Sequence, residues 1–155
     1  YDRTRIETVL INSNFNCGFY INRTKLFESL KYKYNIHALY DPCSYPGIQC
    51  KFYYNTKNEK HNGVCYCDTK CTKRKKLLSE KKNNEKFCKE ISFMIFRTGS
   101  ILIVGNCDES ILDIIYSYLK NVLTMEFENI YNGLNTEKKE LKEIKKRKKT
   151  ILVNY

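Results

Sequence analysis

The segment from residue 91 to residue 123 constrains the fold most, because it reads as a hairpin followed directly by a helix. Residues 91–96 and 101–105 are mostly apolar and flank Arg97-Thr98-Gly99-Ser100, which is typical of a tight turn. After Asp108, a candidate N-cap, apolar residues recur at helical spacing. This stripe comprises Ile111, Ile114, Ile115, Tyr118, Leu119, Val122 and Leu123, and it can extend to Phe127. The segment therefore predicts two paired strands with a long helix packed on them.

A strand, a short helix and a second hairpin are predicted upstream. Residues 7–15 alternate in polarity, as in a half-buried strand, and Asn22 is a candidate N-cap for a helix that reaches residue 30. Residues 38–40 and 48–54 flank a turn that contains both prolines of the chain. In a chain of 155 residues, this order of elements predicts one α+β domain, with an antiparallel sheet and helices on one face.

Both faces of the predicted sheet carry apolar side chains. The face predicted to meet the helices carries Val9, Ile11, Phe15, Phe93, Ile95, Ile101 and Ile103. The opposite face then carries Thr8, Leu10, Asn12, Met94, Phe96, Leu102 and Val104. A sheet with helices on one side normally has polar residues on its other side. The second face therefore predicts a partner, which could be another sheet, another subunit or the minor groove of DNA.

Four of the eight cysteines form a pattern that favours metal binding. Three lie within residues 65–71, and Cys88 follows a lysine-rich spacer. Because the start of the chain lacks the apolar core of a signal peptide, metal binding is favoured over disulfides. We predict one Zn²⁺ per chain, bound by Cys65, Cys67, Cys71 and Cys88. The alternative ligands are His61, Cys43 and Cys50, unliganded reduced thiols are the alternative state, and Cys17 and Cys107 are predicted to be packing residues.

The net charge of +11 is concentrated in two segments. Residues 70–89 hold nine basic and two acidic residues, and residues 137–149 hold eight basic and three acidic residues. The rest of the chain is close to neutral. We therefore divide the chain into a folded domain over residues 1–131, with a cysteine-rich basic insertion at residues 55–89, and a basic tail at residues 132–155.

Two stretches resemble one repeat of the TATA-box-binding protein family. They are residues 40–48, with the sequence YDPCSYPGI, and residues 94–105, with the sequence MIFRTGSILIVG, followed by the long helix. The resemblance covers about residues 7–131 outside the insertion, and it implies a curved sheet that forms half of a saddle. The insertion departs from cellular members and is similar to divergent relatives in large DNA viruses. The composition, rich in Lys, Asn, Ile and Tyr, fits the AT-rich genome of such a virus or of a protist.

This resemblance implies a transcription initiation factor that binds AT-rich promoter DNA in the minor groove through its concave sheet face. Tyr45 and Phe96 correspond to the family's wedge residues, Leu102 and Val104 to groove-lining positions, and Thr8 or Asn12 to a base-contacting asparagine. The full set of implied DNA-binding residues is Thr8, Leu10, Asn12, Tyr45, Met94, Phe96, Leu102 and Val104. Since the family's saddle needs two repeats, we expect a second repeat, consistent with the missing initiator Met, or a homodimer. Transcription machinery proteins are the further implied partners.

A protein–protein interaction module of a viral transcription or nucleoprotein assembly is the alternative function. We expect no enzyme, because His37 and His61 are the only histidines and the sequence has no glycine-rich phosphate loop or nucleophile elbow. No apolar run reaches the length of a membrane span. The expected location is the host cytoplasm, at viral factories, or the nucleus; a place in the virion is an option, and secretion is not expected.

Overall fold

A five-stranded antiparallel sheet, with strand order β1-β6-β5-β4-β3, forms the centre of the protein. The computed structural model describes residues 10–55, 61–67, 71 and 88–134. The strands are β1 (Ile11–Asn16), β2 (Phe19–Ile21), β3 (His37–Leu39), β4 (Gly47–Tyr54), β5 (Lys89–Phe96), β6 (Ser100–Gly105) and β7 (Tyr131–Leu134). The helices are α1 (Arg23–Glu28), α2 (Glu109–Met125) and α3 (Phe127–Ile130). The predicted α+β class with an antiparallel sheet is confirmed.

Both predicted hairpins form. In the β5–β6 hairpin, Met94 pairs with Leu102, and the turn between the strands places Gly99 at a φ of +79°. A Cβ at Gly99 would lie 2.4 Å from the carbonyl oxygen of Phe19, so only glycine fits there. In the β3–β4 hairpin, Leu39 pairs with Gln49. The glycine that the sequence shows in the β5–β6 turn therefore matches the backbone that it adopts.

The two predicted helices also form. The Asn22 side chain accepts a hydrogen bond from the backbone N–H of Lys25 and caps α1, which continues into a π-helical turn over Ser29–Lys33. Asp108 occupies the N-cap position of α2, but its carboxylate makes no cap hydrogen bond and instead accepts one from Lys89 Nζ at 3.3 Å. The buried residues of α2 are Ile111, Ile115, Leu119, Val122 and Leu123, and the partly buried Ile114 and Tyr118 complete the predicted stripe. The helix ends before Phe127, which lies in α3.

The helices cover one face of the sheet, which we call the inner face. Its buried residues join those of the helices in a single core, and they include Ile48, Phe52, Ile91, Phe93, Ile95, Ile101 and Ile103. The α2 helix spans the sheet, because Tyr116 contacts Phe15 of β1 and Tyr118 contacts Phe52 of β4, with ring centroids 4.9 and 5.4 Å apart. The opposite, outer face of the sheet is left without a helix among the described residues.

A second, two-stranded sheet pairs β2 with β7 and was not predicted. Phe19 pairs with Leu134, so residues 132–134, which the sequence assigned to the basic tail, are part of a strand. Similarly, Lys89, which the sequence assigned to the insertion, is the first residue of β5 because it pairs with Tyr54. No described helix is both long and apolar enough to cross a membrane.

One buried carboxylate links the end of α2 to the π-helical turn. Glu126 is 5% exposed, and it accepts hydrogen bonds from Ser29 Oγ at 2.8 Å, Lys33 Nζ at 2.6 Å and Tyr34 Oη at 2.9 Å. The hydrogen bond from Lys33, the largest cause, lowers the pKa of Glu126 to about 2. Glu126 therefore stays ionised and holds the two helical segments together.

Candidate metal centre and outer sheet face

Four thiols converge beside the start of β5. The Sγ atoms of Cys65, Cys67, Cys71 and Cys88 all lie within 4.8 Å of one another. The Sγ of Cys71 is 3.5 Å from Cys65 and 3.8 Å from Cys67, while the Sγ of Cys88 is 3.6 Å from Cys67 and 4.0 Å from Cys65. Four sulfurs bound tetrahedrally at 2.3 Å from a metal would be about 3.8 Å apart. We call these residues the cysteine cluster, and it could hold a metal ion.

Two connections anchor the cysteine cluster to the sheet. Cys88 directly precedes β5, whose first residue, Lys89, pairs with Tyr54 at the end of β4. On the other side, the backbone N–H of Tyr53 donates to the carbonyl oxygen of Gly63 at 3.0 Å. This bond brings residues 61–67, which carry two of the cysteines, against the end of β4. Cys65, Cys67 and Cys88 are therefore connected to the end of the β4–β5 ladder.

Hydrogen bonds within the cluster favour the thiolate of Cys65. Burial opposes ionisation of Cys65, but hydrogen bonds from the backbone N–H groups of Cys71 and Cys67 lower its pKa to about 7. Burial raises the pKa of Cys67 and of Cys88. Asn55 Nδ2 donates to Cys88 Sγ at 3.8 Å. Because a metal ion binds the deprotonated thiols, metal binding here would release protons.

The alternative ligands named from the sequence lie elsewhere. The ring of His61 stacks on Tyr54, with centroids 5.1 Å apart. Cys50 is buried on the inner face of β4, where burial raises its pKa, and Cys43 is exposed in the turn before β4. Among the described residues, no second group of three or more potential ligands comes together. As predicted, both remaining cysteines are packing residues: Cys107 is buried in the core, and the partly buried Cys17 packs against the core.

The outer sheet face combines a half-buried apolar strip with polar side chains. Met94 and Phe96 of β5 lie beside Leu102 and Val104 of β6, and Met94 pairs directly with Leu102. These residues point away from the core, as the sequence alternation predicted. Polar residues surround the strip, namely Asn12, Asn14 and Asn16 of β1, Gln49 and Lys51 of β4 and Ser92 of β5. The face is therefore more polar than the sequence suggested, because β4 and the end of β1 contribute polar residues to it.

Two aromatic rings meet at one end of this strip. The ring centroids of Tyr45 and Phe96 are 6.1 Å apart, and the Tyr45 hydroxyl donates to Met94 Sδ at 3.5 Å. Gly47 lies beneath them, and a Cβ there would be 3.0 Å from Phe96 Cε1. A side chain at position 47 would displace the Phe96 ring. The absence of a side chain at Gly47 therefore leaves the space that the two rings occupy.

The structure brings most of the implied DNA-binding residues to this face. Asn12 of β1 pairs with Val104 and is exposed, so it borders the apolar strip. Leu10 directly precedes β1 and is 60% exposed. Thr8 lies outside the described residues. Asn14 shares the face, as the alternation of residues 7–15 predicted. Gln49 and Lys51 also share it but were not identified from the sequence, although the alternation of apolar and polar residues over 48–52 was the signal that could have found them.

The described part of the chain carries no net charge. It holds eight Lys or Arg residues and eight Asp or Glu residues. The excess of positive charge therefore belongs to the remaining segments of the sequence. Cys71 and Cys88, both in the cysteine cluster, flank residues 72–87, which contain seven basic and two acidic residues.

A cavity of about 730 Å³ lies between the edge strand β3 and the cysteine cluster. Its wall includes Lys31 and His37 on one side and Tyr53, Cys65 and Tyr66 on the other.

Searches of protein-family models, curated proteins and solved structures find no match to this chain. Its function is therefore inferred from its motifs and from the geometry of its described residues.

Proposed function

We propose that this chain is a divergent TATA-box-binding-protein-like transcription initiation factor that binds AT-rich promoter DNA in the minor groove. The outer sheet face is the proposed binding surface, and the sheet with its helices is proposed to form half of a saddle. A second repeat or a second copy of the chain would complete it. In this proposal Tyr45 and Phe96 enter between base steps, and Met94, Leu102 and Val104 line the groove.

The adjacent rings of Tyr45 and Phe96, on a sheet face without a helix among the described residues, are the observation that carries this proposal. Insertion between base steps needs an apolar ring that is held in position and can reach a partner surface. Both rings are only partly buried. Asn12 and Asn14 beside the strip can donate to the acceptor atoms of A·T pairs in the minor groove.

The test measures binding and bending of an AT-rich duplex by purified chain over a series of salt concentrations. Phe96→Ala and Tyr45→Ala should each weaken binding by about tenfold or more, which corresponds to about 1.4 kcal/mol, and should reduce the bend measured by energy transfer between the duplex ends. Tyr32→Ala is the matched control, because Tyr32 is 70% exposed but lies in the π-helical turn on the helix side. Unchanged affinity and bending in both wedge variants would contradict the wedge role.

We also propose that the metal of the cysteine cluster is zinc, bound once per chain. Four cysteine sulfurs within 4.8 Å of one another match the four-thiolate ligand set that is typical of structural zinc sites. Metal analysis of protein purified without added metal should give about one zinc per chain. Cys43→Ser is the control for loss of a thiol outside the cluster, and it should leave the zinc content unchanged. Full zinc content in a Cys65→Ser/Cys71→Ser variant would refute the assignment.

A protein-binding role for the outer sheet face is the second candidate, and the charge balance favours it. The described residues hold equal numbers of basic and acidic side chains, whereas duplex binding usually needs an excess of Lys and Arg to neutralise phosphates. This candidate predicts self-association or binding to a transcription protein through Met94 and Phe96, with weak DNA binding that is independent of sequence. Sequence-dependent bending of DNA by the purified chain would exclude it.

A further inference from the structure

Tyr53 is buried although it belongs to the outer face of β4. Gln49 is exposed and Lys51 is half-buried on that face, and Tyr53 is the next residue in the same alternation. Tyr53 is nevertheless only 6% exposed. Its backbone N–H donates to the carbonyl oxygen of Gly63, and Tyr53 lines the same cavity as Cys65. Tyr53 therefore lies between the sheet and the segment that carries the cysteines.

The strand register places Tyr53 next to the cysteine cluster. Tyr53 pairs with Glu90, so Cys88, two residues before Glu90, is its diagonal neighbour across the two strands. Diagonal neighbours are within reach of an aromatic side chain. Asn55 contacts Cys88, and the alternation of the strand places Tyr53, two residues before Asn55, on the same side. Tyr53 thus approaches the cluster from the sheet, while residues 61–67 approach it from the loop.

The hydroxyl group of Tyr53 is buried without a hydrogen-bond partner among the described atoms. A buried donor of this kind is costly unless it is paired. A tyrosine phenol, with an ordinary pKa of about 10, carries its proton at neutral pH and can donate a hydrogen bond. Four thiolates around a divalent cation carry a net negative charge, which such a donor stabilises.

We propose that Tyr53 is a positioning residue of the metal centre, whose hydroxyl turns to donate a hydrogen bond to a thiolate of the cysteine cluster when the metal is bound. This inference rests on the metal binding proposed above. The bond links the cluster to the outer sheet face and gives the buried hydroxyl its partner. It also lowers the electron-donating strength of the bound sulfur.

The experiment compares Tyr53→Phe with the wild-type chain in a zinc competition titration against a chromophoric chelator and in absorption spectra of the Co²⁺-loaded protein. Removing the hydroxyl should weaken zinc binding by about 10- to 100-fold. It should also move the thiolate-to-cobalt charge-transfer band to lower energy, a change that general loosening of the fold does not produce. Tyr118→Phe is the matched control, because the Tyr118 hydroxyl is also buried and unpartnered among the described atoms, but it lies on α2.

The possible outcomes distinguish the role of Tyr53 from the existence of the metal site. Weaker zinc binding and a shifted cobalt band in Tyr53→Phe, with wild-type behaviour of Tyr118→Phe, support the role of Tyr53. Wild-type affinity and an unshifted band in Tyr53→Phe overturn this role and leave the metal site intact. Equal weakening by both variants also overturns it, because loss of any buried hydroxyl would then suffice. Absence of metal binding by the wild-type chain overturns the metal site itself.

Discussion

Gly63 offers a quantitative test of how the cysteine-bearing loop is packed against the sheet. Its φ of +76° lies in the left-handed region, where a residue with a Cβ costs about 1–2 kcal/mol. That Cβ would also lie 2.6 Å from Phe52 Cδ2 and 2.9 Å from Ile36 Cδ1, both in the core. Overpacking of this kind costs about 1–3 kcal/mol. Gly63→Ala should therefore lower the free energy of unfolding by about 2–5 kcal/mol in total.

Gly18 provides the matched control for this substitution. Its φ is +85°, but no atom lies within 4 Å of the position that a Cβ would take. Gly18→Ala should therefore cost only the backbone part, about 1–2 kcal/mol. Urea unfolding of both variants measures the difference, and a zinc titration reports the loop itself, since Cys65 follows Gly63 by two residues. Equal unfolding midpoints for the two variants, together with unchanged zinc affinity, would refute the packing argument.

Three further predictions concern a buried carboxylate, the core and the cysteine cluster. Glu126→Gln should destabilise the chain by about 1–3 kcal/mol, because three donors lose a charged acceptor. Since the pKa of Glu126 is lowered to about 2, its contribution to the free energy of unfolding is complete above its usual pKa of 4.5 and declines as the pH falls from 4.5 towards 2. Unfolding of the wild-type chain and of Glu126→Gln between pH 2 and pH 7 measures this. A difference in stability that does not change with pH would contradict it. Leu119→Ala should cost about 2–5 kcal/mol because Leu119 is fully buried, whereas Met125→Ala, at a residue 71% exposed, should change unfolding little. Substituting Cys65 and Cys71 together should abolish zinc binding while the sheet stays folded, which circular dichroism measures; loss of the sheet signal would show that the fold depends on the metal.

The elements that the sequence predicted correctly are those whose signals are local. The β5–β6 hairpin is defined by two apolar runs around Gly99, and α2 by an apolar stripe that begins after Asp108. The cysteine cluster was also predictable, because three of its members lie within seven residues. In each of these cases, neighbouring residues carry the information that specifies the structure.

The features that escaped prediction depend on residues far apart in the chain. The β2 strand has three residues and pairs with β7 more than 100 residues later, so neither strand has a partner nearby in sequence. A glutamate at the end of an amphipathic helix is normally exposed. Glu126 is buried because Ser29, Lys33 and Tyr34, which lie more than 90 residues earlier in the chain, donate hydrogen bonds to its carboxylate. The position of Tyr53 against the cluster likewise depends on the register between β4 and β5.

The direct continuation of Cys88 into β5 has a consequence for the motions of the sheet. Tyr54 and Lys89 form the pair at the cluster end of the β4–β5 ladder, and Gly47 and Phe96 form the pair at its other end. When the thiols hold no ion, the ladder should fray from the Tyr54 end, and its amide hydrogens there should exchange with solvent faster than those near Phe96. Adding zinc should slow the exchange of these amide hydrogens most near Tyr54 and least near Phe96.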